Sequence, residues 1–336
     1  MSTMTDTGSV PARVTGPPPP FDAELAAGLA VVQGGAPVTL TPDLIGALRT
    51  GHVAAHEVDD DGLRRGGAYT FADHVVPGPP GAPEVTVLVC TPATVDAPAP
   101  VIYHIHDGGM VAGTRRSGMT PMLDLAEPHG AIVVSVEYRL APEHPYPAQL
   151  EDCYAGLSWI AGDADALGAD TERIVIVGVS AGGGLAAAVA LLARDRGGPA
   201  LYGQLLGYPM LDDRNDSYST VQMRGFGVWD QTSNETGWRA VLGAAYGAAD
   251  VSPYAAPARA TDLSGLPPAY IDVGSAEIFR DEAVAYADRI WQAGGDAELH
   301  VWPGGFHAFD AWMPQAALSQ SLTRARQDWL RRLLAT

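Results

Sequence analysis

Cysteine, positive charge and long apolar runs are scarce in this chain of 336 residues, and each scarcity excludes a class of protein. Its two cysteines, Cys90 and Cys153, are too few for a disulfide framework, so we expect two buried free thiols and a reducing compartment. Twenty Lys and Arg stand against 39 Asp and Glu, which gives a net charge of −19. Because nucleic acid and anionic membrane surfaces would repel such a charge, neither is an expected partner.

Apolar runs in this sequence are too short to cross a membrane, since a spanning helix needs about 20 such residues. The longest covers only residues 184–193. Residues 1–20 lack the apolar segment of a secretory signal, which predicts a cytoplasmic protein. With 47% hydrophobic and 18% charged residues, the chain has the composition of a globular protein with a sizeable core.

Short runs of β-forming residues alternate with helical stretches from Tyr69 onward. This alternation is typical of an α/β fold with a mostly parallel sheet, and the continuous apolar runs suit strands buried on both faces. We expect the first two strands to pair antiparallel. The predicted strands are residues 69–76, 84–92, 100–106, 131–138, 173–179, 202–209, 268–274 and 297–303. The predicted helices are residues 120–129, 149–160, 181–194, 281–293 and a final helix that ends at Leu334.

Two segments interrupt this alternation. Residues 1–63 are weakly helical, and residues 212–250 form an insertion rich in aromatic, polar and glycine residues. We expect both to form a helical cap over the carboxyl ends of the strands, where open α/β sheets bind ligands. The catalytic domain then covers residues 64–336. The alternative is peripheral packing with no role in binding substrate.

The segment from Gly178 to Gly182, GVSAG, is the most specific motif in the chain. It is a G-x-S-x-G sequence between an apolar strand and an alanine-rich helix, the context in which this motif presents a nucleophilic serine. So sharp a turn forces Ser180 into unfavourable backbone angles and requires small neighbours. It also places the serine at a helix start, where free N–H groups favour negative charge. The alternatives are a tightly packed helix start and a phosphate-binding turn.

A serine nucleophile needs a base, and the base needs an acid that orients it. In enzymes with this motif, the acid and then the histidine follow the serine along the chain. Glu277 lies just beyond one predicted strand, and His307 lies in a glycine-bearing loop after the last one. Both should reach the edge of the sheet that carries Ser180. The competing residues are His300, Asp272, Asp281 and Glu282.

The segment HIHDGGM, residues 104–110, ends an earlier strand with a glycine pair. A tetrahedral intermediate needs N–H donors that face its oxyanion, and such donors come from the residue after the nucleophile and from a glycine-bearing loop. We therefore expect Ala181, Gly108 and Gly109 to form the oxyanion hole.

The two histidines of this segment raise the alternative of a metal site. His104 and His106 alternate along a strand, which is how metal-dependent amidohydrolases present two ligands on one face. No further cluster with ligand spacing follows, so we expect no metal. His106 should brace the oxyanion loop by hydrogen bonds, and His104 should be a packed polar side chain.

The segment EYRLAPEHPYPAQLEDC, residues 137–153, is rich in charged residues and proline. Its turn leads into a predicted helix, which indicates a structural brace. We expect Glu137, Arg139 and Glu143 to bind the backbone and one another.

Several motifs occur in an order that resembles the hormone-sensitive-lipase-like family (bacterial family IV) of α/β-hydrolase esterases. The resemblance runs from about Val85 to the C-terminus. It rests on YHIHDGGM, VEYRLAPEHPYPAQLEDC, GVSAGGG, SPYAAPARATDLSGLPPAYI, GSAEIFRDE and GGFHAF. It implies the α/β-hydrolase fold, a Ser/acid/His triad, a lid of helices, short acyl esters as substrates and no cofactor. The acid position of the family falls on Glu277.

The sequence departs from the family pattern at two positions. Asp107 replaces the first glycine of the family's HGGG, and Val179 replaces the aspartate of its GDSAG. Gly108 and Gly109 are kept. We hypothesise that Asp107 restores near the pocket the acidic group that is missing at position 179.

The expected activity is that of a serine carboxylic-ester hydrolase acting on small or short-acyl esters through an acyl-enzyme. The expected pocket residues are Asp107, Met110, Val179, Met223, Phe226, Trp229 and Trp238. Core packing of the cap is an equal alternative for the last four. The alternative functions are a lactone or amide hydrolase, a non-catalytic binding protein and a metal-dependent amidohydrolase. The resemblance also implies a homodimer formed through the edge strand AELHVW.

Overall fold

One twisted sheet of eight strands organises the computed structural model, which describes residues 16–34, 39–94 and 98–335. The strand order is β1-β2-β4-β3-β5-β6-β7-β8. The strands are β1 (Tyr69–Val76), β2 (Val85–Pro92), β3 (Ala99–Ile105), β4 (Ile132–Glu137), β5 (Ala169–Val179), β6 (Gly203–Gly207), β7 (Ala269–Gly274) and β8 (Ala297–Trp302). β1 and β2 are antiparallel to their neighbours, and the remaining strands pair parallel.

Helices cover both faces of this sheet. They are α1 (Ala23–Val32), α2 (Ile45–His56), α3 (Asp60–Arg64), α4 (Met119–Ala126), α5 (Ala148–Gly162), α6 (Ala164–Leu167), α7 (Ala181–Arg196), α8 (Tyr218–Gln222), α9 (Gln231–Leu242), α10 (Arg280–Gln292), α11 (Phe309–Trp312) and α12 (Ala317–Leu334). α7 is buried throughout Ala181–Ala193, and its glycines and alanines let it approach the sheet closely. The central strands β3, β6 and β7 are buried along their whole length, as the apolar runs predicted.

The two segments that interrupt the alternation lie against the carboxyl ends of the strands. Leu25 and Leu29 of α1 pack with Phe306 in the loop after β8 and with Phe309, the first residue of α11. The insertion contacts the N-terminal segment, since the Leu40 N–H donates to Ser233 Oγ at 2.9 Å. It also contacts the loop after β7, where Ser219 Oγ donates to the carbonyl of Ile278 at 2.7 Å. Residues 1–15 of the first segment lie outside the described residues.

The predicted strands and helices are confirmed, with shifts at their ends that have local causes. The helix predicted over residues 120–129 ends at Ala126, and one turn of 3-10 helix, Glu127–His129, follows. Pro128 explains the change because proline lacks the N–H that an α-helix interior requires. β5 begins at Ala169, four residues before the predicted residue 173, because Ala169 pairs with Ala99. Both cysteines are free and buried, as predicted.

The charged segment over residues 137–153 was predicted to bind the backbone and itself, and the first part is confirmed for Glu137, whose Oε2 accepts the Arg115 N–H at 2.8 Å. Glu137 binds Arg115 at 3.0 Å, and Glu143 binds Arg49 at 2.7 Å. Arg139 binds Asp152 of α5 at 2.7 Å. The three residues therefore pair with other elements and not with one another, because each turn of this segment faces a different neighbour.

No helix among the described residues is long and apolar enough to span a membrane.

Candidate active site

The sharp turn from β5 into α7 holds Ser180 in a strained conformation. Its φ is +55° and its ψ is −124°, and its N–H donates to the carbonyl of Gly207 at 2.8 Å. Such backbone angles cost about 1–3 kcal/mol for a residue other than glycine. A Cβ at Gly178 would lie 2.2 Å from the carbonyl oxygen of Gly182, so the turn tolerates no side chain there. The absence of a side chain at Gly178 thus allows a turn that a larger residue would prevent.

Three side chains form a continuous hydrogen-bonded chain at this turn. Ser180 Oγ lies 3.0 Å from His307 Nε2, and His307 Nδ1 lies 2.7 Å from Glu277 Oε2. The second oxygen of Glu277, Oε1, accepts the Gly274 N–H at 2.8 Å. All three side chains are at least nine-tenths buried. Burial raises the pKa of Glu277, while the adjacent His307 opposes that rise.

Two aromatic rings hold His307 between them. The rings of Tyr208 and Phe279 each pack edge-on against the imidazole, with centroids 5.0 Å apart. Because these contacts limit rotation of the ring, Nδ1 stays directed at the acid and Nε2 at the serine. Tyr208 follows β6 directly and was not a predicted site residue, although its place at the carboxyl end of a strand could have indicated it.

The competing carboxylates have other partners. Asp272 binds Arg326 of α12 through two hydrogen bonds of 2.8 Å. Asp281 and Glu282 lie in the first turn of α10, as expected, where Asp281 accepts the Ser219 N–H and Glu282 accepts the Leu211 N–H. Both therefore anchor the start of the insertion. His300, also predicted to be structural, binds Glu298 within β8 at 2.8 Å.

The two histidines of HIHDGGM are buried, and each has a protein partner. His104 Nδ1 lies 2.9 Å from Ser135 Oγ, and burial lowers its pKa to about 3. The His106 ring stacks on Tyr138 with centroids 4.0 Å apart, and its Nδ1 lies 2.8 Å from the carbonyl of Asp107. In the described parts of the chain, no three His, Cys, Asp or Glu side chains come together as a metal site would require.

The glycine pair of this segment adopts conformations that favour glycine. Gly108 has φ of +105° and Gly109 has φ of +66°. A Cβ at Gly108 would lie 2.2 Å from the Ala112 carbonyl oxygen, and a Cβ at Gly109 would lie 2.6 Å from the Trp229 ring. The loop lies beside the start of α7, because Gly182 packs against the Ile105 carbonyl. A Cβ at Gly182 would also lie 2.6 Å from the His106 carbonyl oxygen, so the start of α7 packs on the residues that directly precede this loop.

The predicted pocket residues separate into different environments. Met223 and Trp238 are fully buried in the core, and Phe226 is 47% exposed. Trp229 packs against Gly109, and Met110 is buried with φ of +60°. Asp107 and Val179 line one cavity of about 360 Å³, together with Tyr208, Asp310 and Arg326. Asp310 and Arg326 were not predicted, because their role depends on how α11 and α12 pack.

The described fold and site have clear relatives. A family model described as the alpha/beta hydrolase fold matches residues 102–311. The chain belongs to the α/β-hydrolase fold family. Its relatives place it with the hormone-sensitive-lipase-like esterases of this family.

Relatives of this α/β-hydrolase include two named esterases. This chain is 37% identical over 252 residues to carboxylesterase NlhH of Mycobacterium tuberculosis (strain CDC 1551 / Oshkosh). The aligned region covers 68% of this chain and 72% of that one. This chain is 38% identical over 244 residues to esterase LipI of M. tuberculosis (strain ATCC 25618 / H37Rv), with coverage of 68% and 71%. Among solved structures, a bacterial heroin esterase superposes with a TM-score of 0.86 at 36% identity over 94% of this chain and 98% of that one.

The contact of Gly182 with β3 makes a testable prediction. In Gly182→Ala the new Cβ would lie 2.1 Å from the Ile105 carbonyl oxygen, which must displace α7 from the oxyanion loop. We expect a fall of about a hundredfold or more in ester hydrolysis, because donors misplaced from the oxyanion stabilise it poorly. The measurement is kcat for a p-nitrophenyl ester, with the melting temperature as a check on folding.

Gly46→Ala is the matched control, since a Cβ there meets nothing within 4 Å in α2. It should leave activity unchanged and stabilise the helix slightly. Full activity of Gly182→Ala would show that this contact does not set the site geometry.

Proposed function

We propose that this protein is a serine carboxylic-ester hydrolase in which Ser180 is the nucleophile, His307 the general base and Glu277 the orienting acid. The observation that carries this proposal is the continuous chain of hydrogen bonds from Ser180 Oγ through His307 to Glu277, with lengths of 3.0 and 2.7 Å. Relatives named as carboxylesterases support the same reaction class.

In the first step, Ser180 Oγ attacks the ester carbonyl while His307 Nε2 takes its proton. The histidine acts as a base at this position because Glu277 accepts its Nδ1–H and stabilises the imidazolium that forms. Burial raises the pKa of Glu277, and its bonds with His307 and the Gly274 N–H oppose that rise. The protonated histidine then gives its proton to the alcohol that leaves.

The tetrahedral intermediate carries negative charge on the former carbonyl oxygen. The backbone N–H groups of Gly108, Gly109 and Ala181 are the proposed donors to this oxygen. Each well-placed donor contributes about 3–4 kcal/mol of transition-state stabilisation. Because the glycines have no Cβ, the substrate can approach their backbone closely.

Water completes the reaction by attacking the acyl-enzyme. His307 takes a proton from this water and returns it to Ser180 Oγ when the acid product leaves, so the triad ends as it began. Cleavage of a lactone or an amide would use the same groups, and only the leaving group would differ.

The proposed cap consists of the N-terminal segment up to residue 63 and the insertion over residues 212–250.

The proposal predicts which substrates and reagents act on Ser180. We expect the wild type to hydrolyse p-nitrophenyl acetate and butyrate, and Ser180→Ala to lose at least about a thousandfold in kcat. A fluorophosphonate should label the wild type alone, and EDTA should change nothing. Inactivation by EDTA without fluorophosphonate labelling would favour a metal-dependent amidohydrolase, and no turnover with no label would favour a non-catalytic binding protein.

The role of Glu277 is tested by a pair of variants. Glu277→Gln removes the charge that stabilises the imidazolium, and we expect a loss of about 10²–10⁴-fold in kcat with little change in KM. Glu298→Gln is the matched control, because Glu298 also binds a histidine, His300, at 2.8 Å but lies in the edge strand β8. Equal losses in both variants would remove the proposed role of Glu277.

We propose further that the protein forms a homodimer in the cytoplasm through β8. This strand is the last of the sheet and pairs with β7 on one side, and most of its residues are partly exposed. An exposed strand edge offers unpaired backbone groups to a second copy. Size-exclusion chromatography with light scattering should give twice the 35.0 kDa chain mass. A monomer at high concentration would discard the dimer.

A further inference from the structure

The end of β6 and the loop that follows it, residues 207–210, hold the backbone of the nucleophile from two sides. The Ser180 N–H donates to the Gly207 carbonyl at 2.8 Å, and the Ser180 carbonyl accepts the Met210 N–H at 3.0 Å. Both backbone groups of the serine are therefore tied to this segment. A displacement of the segment would also displace the serine.

Tyr208 lies between the two residues that hold Ser180, and its side chain contacts the base. Its ring packs edge-on against His307, with centroids 5.0 Å apart. Its φ is +34°, and its N–H donates to the Asp272 carbonyl at 2.6 Å. Strained residues persist only where the surrounding structure holds them, and they are concentrated at functional sites. The strain at Tyr208 therefore directs attention to the groups that hold this residue.

A guanidinium from α12 packs directly on this segment. Arg326 Cζ lies over the Tyr208 ring, 5.4 Å from its centroid. A Cβ at Gly207 would lie 2.5 Å from Arg326 Nη2 and 2.8 Å from Val179 Cγ1. Gly207 therefore fits closely between α12 and the strand that carries the nucleophile. Arg326 thus contacts both Gly207 and Tyr208.

Two carboxylates fix the orientation of this guanidinium. Arg326 Nε and Nη2 donate to Asp272 at 2.8 Å, and Nη1 donates to Asp310 Oδ2 at 3.0 Å. Arg326 and Asp272 are both more than nine-tenths buried. Asp272 also supplies the carbonyl that accepts the Tyr208 N–H, so one residue holds both the guanidinium and the strained backbone. A planar guanidinium bound along its edges has a defined orientation, which a flexible ammonium would lack.

Stability alone does not account for an ion pair as buried as the one between Arg326 and Asp272. Taking two charges out of water offsets much of their attraction, so apolar residues of similar volume often give an equally stable protein. What this pair adds is a fixed group against Tyr208, the residue that packs on the base.

We propose that Arg326 is a positioning residue of the general base, which it holds in place through the ring of Tyr208. The guanidinium fixes the ring, and the ring limits rotation of the His307 imidazole. A displacement of about 1 Å between reacting groups can cost about a hundredfold in rate, so this support matters to catalysis. The inference rests on the proposed ester hydrolysis, in which His307 is the base.

A double-mutant cycle on the full-length protein separates this role from a purely structural one. The variants are Tyr208→Leu, Arg326→Lys and their combination, with kcat and KM measured for p-nitrophenyl butyrate. We expect each single variant to lower kcat about ten- to a hundredfold with KM within about twofold, because the base is misplaced while substrate still binds. In the Tyr208→Leu background, Arg326→Lys should cost less than about twofold, since the ring through which it acts is gone.

Two control variants accompany the cycle. Tyr208→Phe keeps the aromatic ring and its contact with His307, so kcat should stay within about twofold of the wild type. Arg139→Lys is the matched control for the arginine, because Arg139 also binds a buried aspartate, Asp152, through two hydrogen bonds of 2.8 and 2.7 Å. That fork lies in the segment after β4, and its loss should leave kcat unchanged.

Melting temperatures identify a variant that fails to fold, and each single variant has a replacement. Tyr208→Met replaces Tyr208→Leu, because a flexible methionine fills irregular space without supplying a ring. The double substitution Asp272→Asn/Arg326→Gln replaces Arg326→Lys, because removing both partners leaves no unpaired charge at Asp272. The expected results are the same.

Full activity of a folded Arg326→Lys variant would overturn the proposal. Losses that multiply in the combined variant would also overturn it, because Arg326 would then act by a route other than Tyr208. An equal loss in Tyr208→Phe and Tyr208→Leu would remove the role of the ring. Failure of the wild type to hydrolyse the ester would instead count against the proposed function, so the two failures are distinguishable.

Discussion

The close contact between the start of α7 and the end of β3 controls the geometry of the whole site. Gly182 packs so tightly on the Ile105 carbonyl that a Cβ would lie 2.1 Å from its oxygen. Because the two elements meet there, the turn that carries Ser180 and the loop that begins after β3 are neighbours. On either side of this contact, Ser180 has φ of +55° and Gly108 has φ of +105°. These backbone conformations cost folding free energy, and in return they hold the site residues in fixed positions before substrate binds.

Burial of charge is the second constraint, and paired ions satisfy it. β7 and the loop after it contribute two carboxylates, Asp272 and Glu277, both almost fully buried. Each has its own cationic or donating partner, Arg326 for the first and His307 for the second. A buried carboxylate left without such a partner would cost several kcal/mol, about 3–5 in measured cases. The division of partners leaves Glu277 free to orient the histidine, while Asp272 ties α12 to the sheet.

Much of the fold is readable from the sequence because its signals are local. Short runs of β-forming residues located every strand, and G-x-S-x-G between a strand and a helix located the turn at Ser180. Helix ends were less certain, as at Pro128, where one missing N–H ends an α-helix before the periodic pattern does. The ion-pair partners of Glu137, Arg139 and Glu143 could not be predicted from the sequence around them. Charge pairing depends on which elements become neighbours, and the sequence nearby does not encode that.

The sequence by itself determined the architecture, the serine turn and the residues that were candidates for acid and base. It did so because strand burial, tight turns and chain order depend on residues close together in the chain. Only the tertiary structure decided which carboxylate meets His307, that Tyr208 packs against it, and that Trp238 is core while Trp229 contacts Gly109. The cavity lined by Asp107, Val179 and Tyr208 also depends on the tertiary structure. Its wall combines residues from as far apart as Asp107 and Arg326, and only packing of the helices on the sheet brings them together.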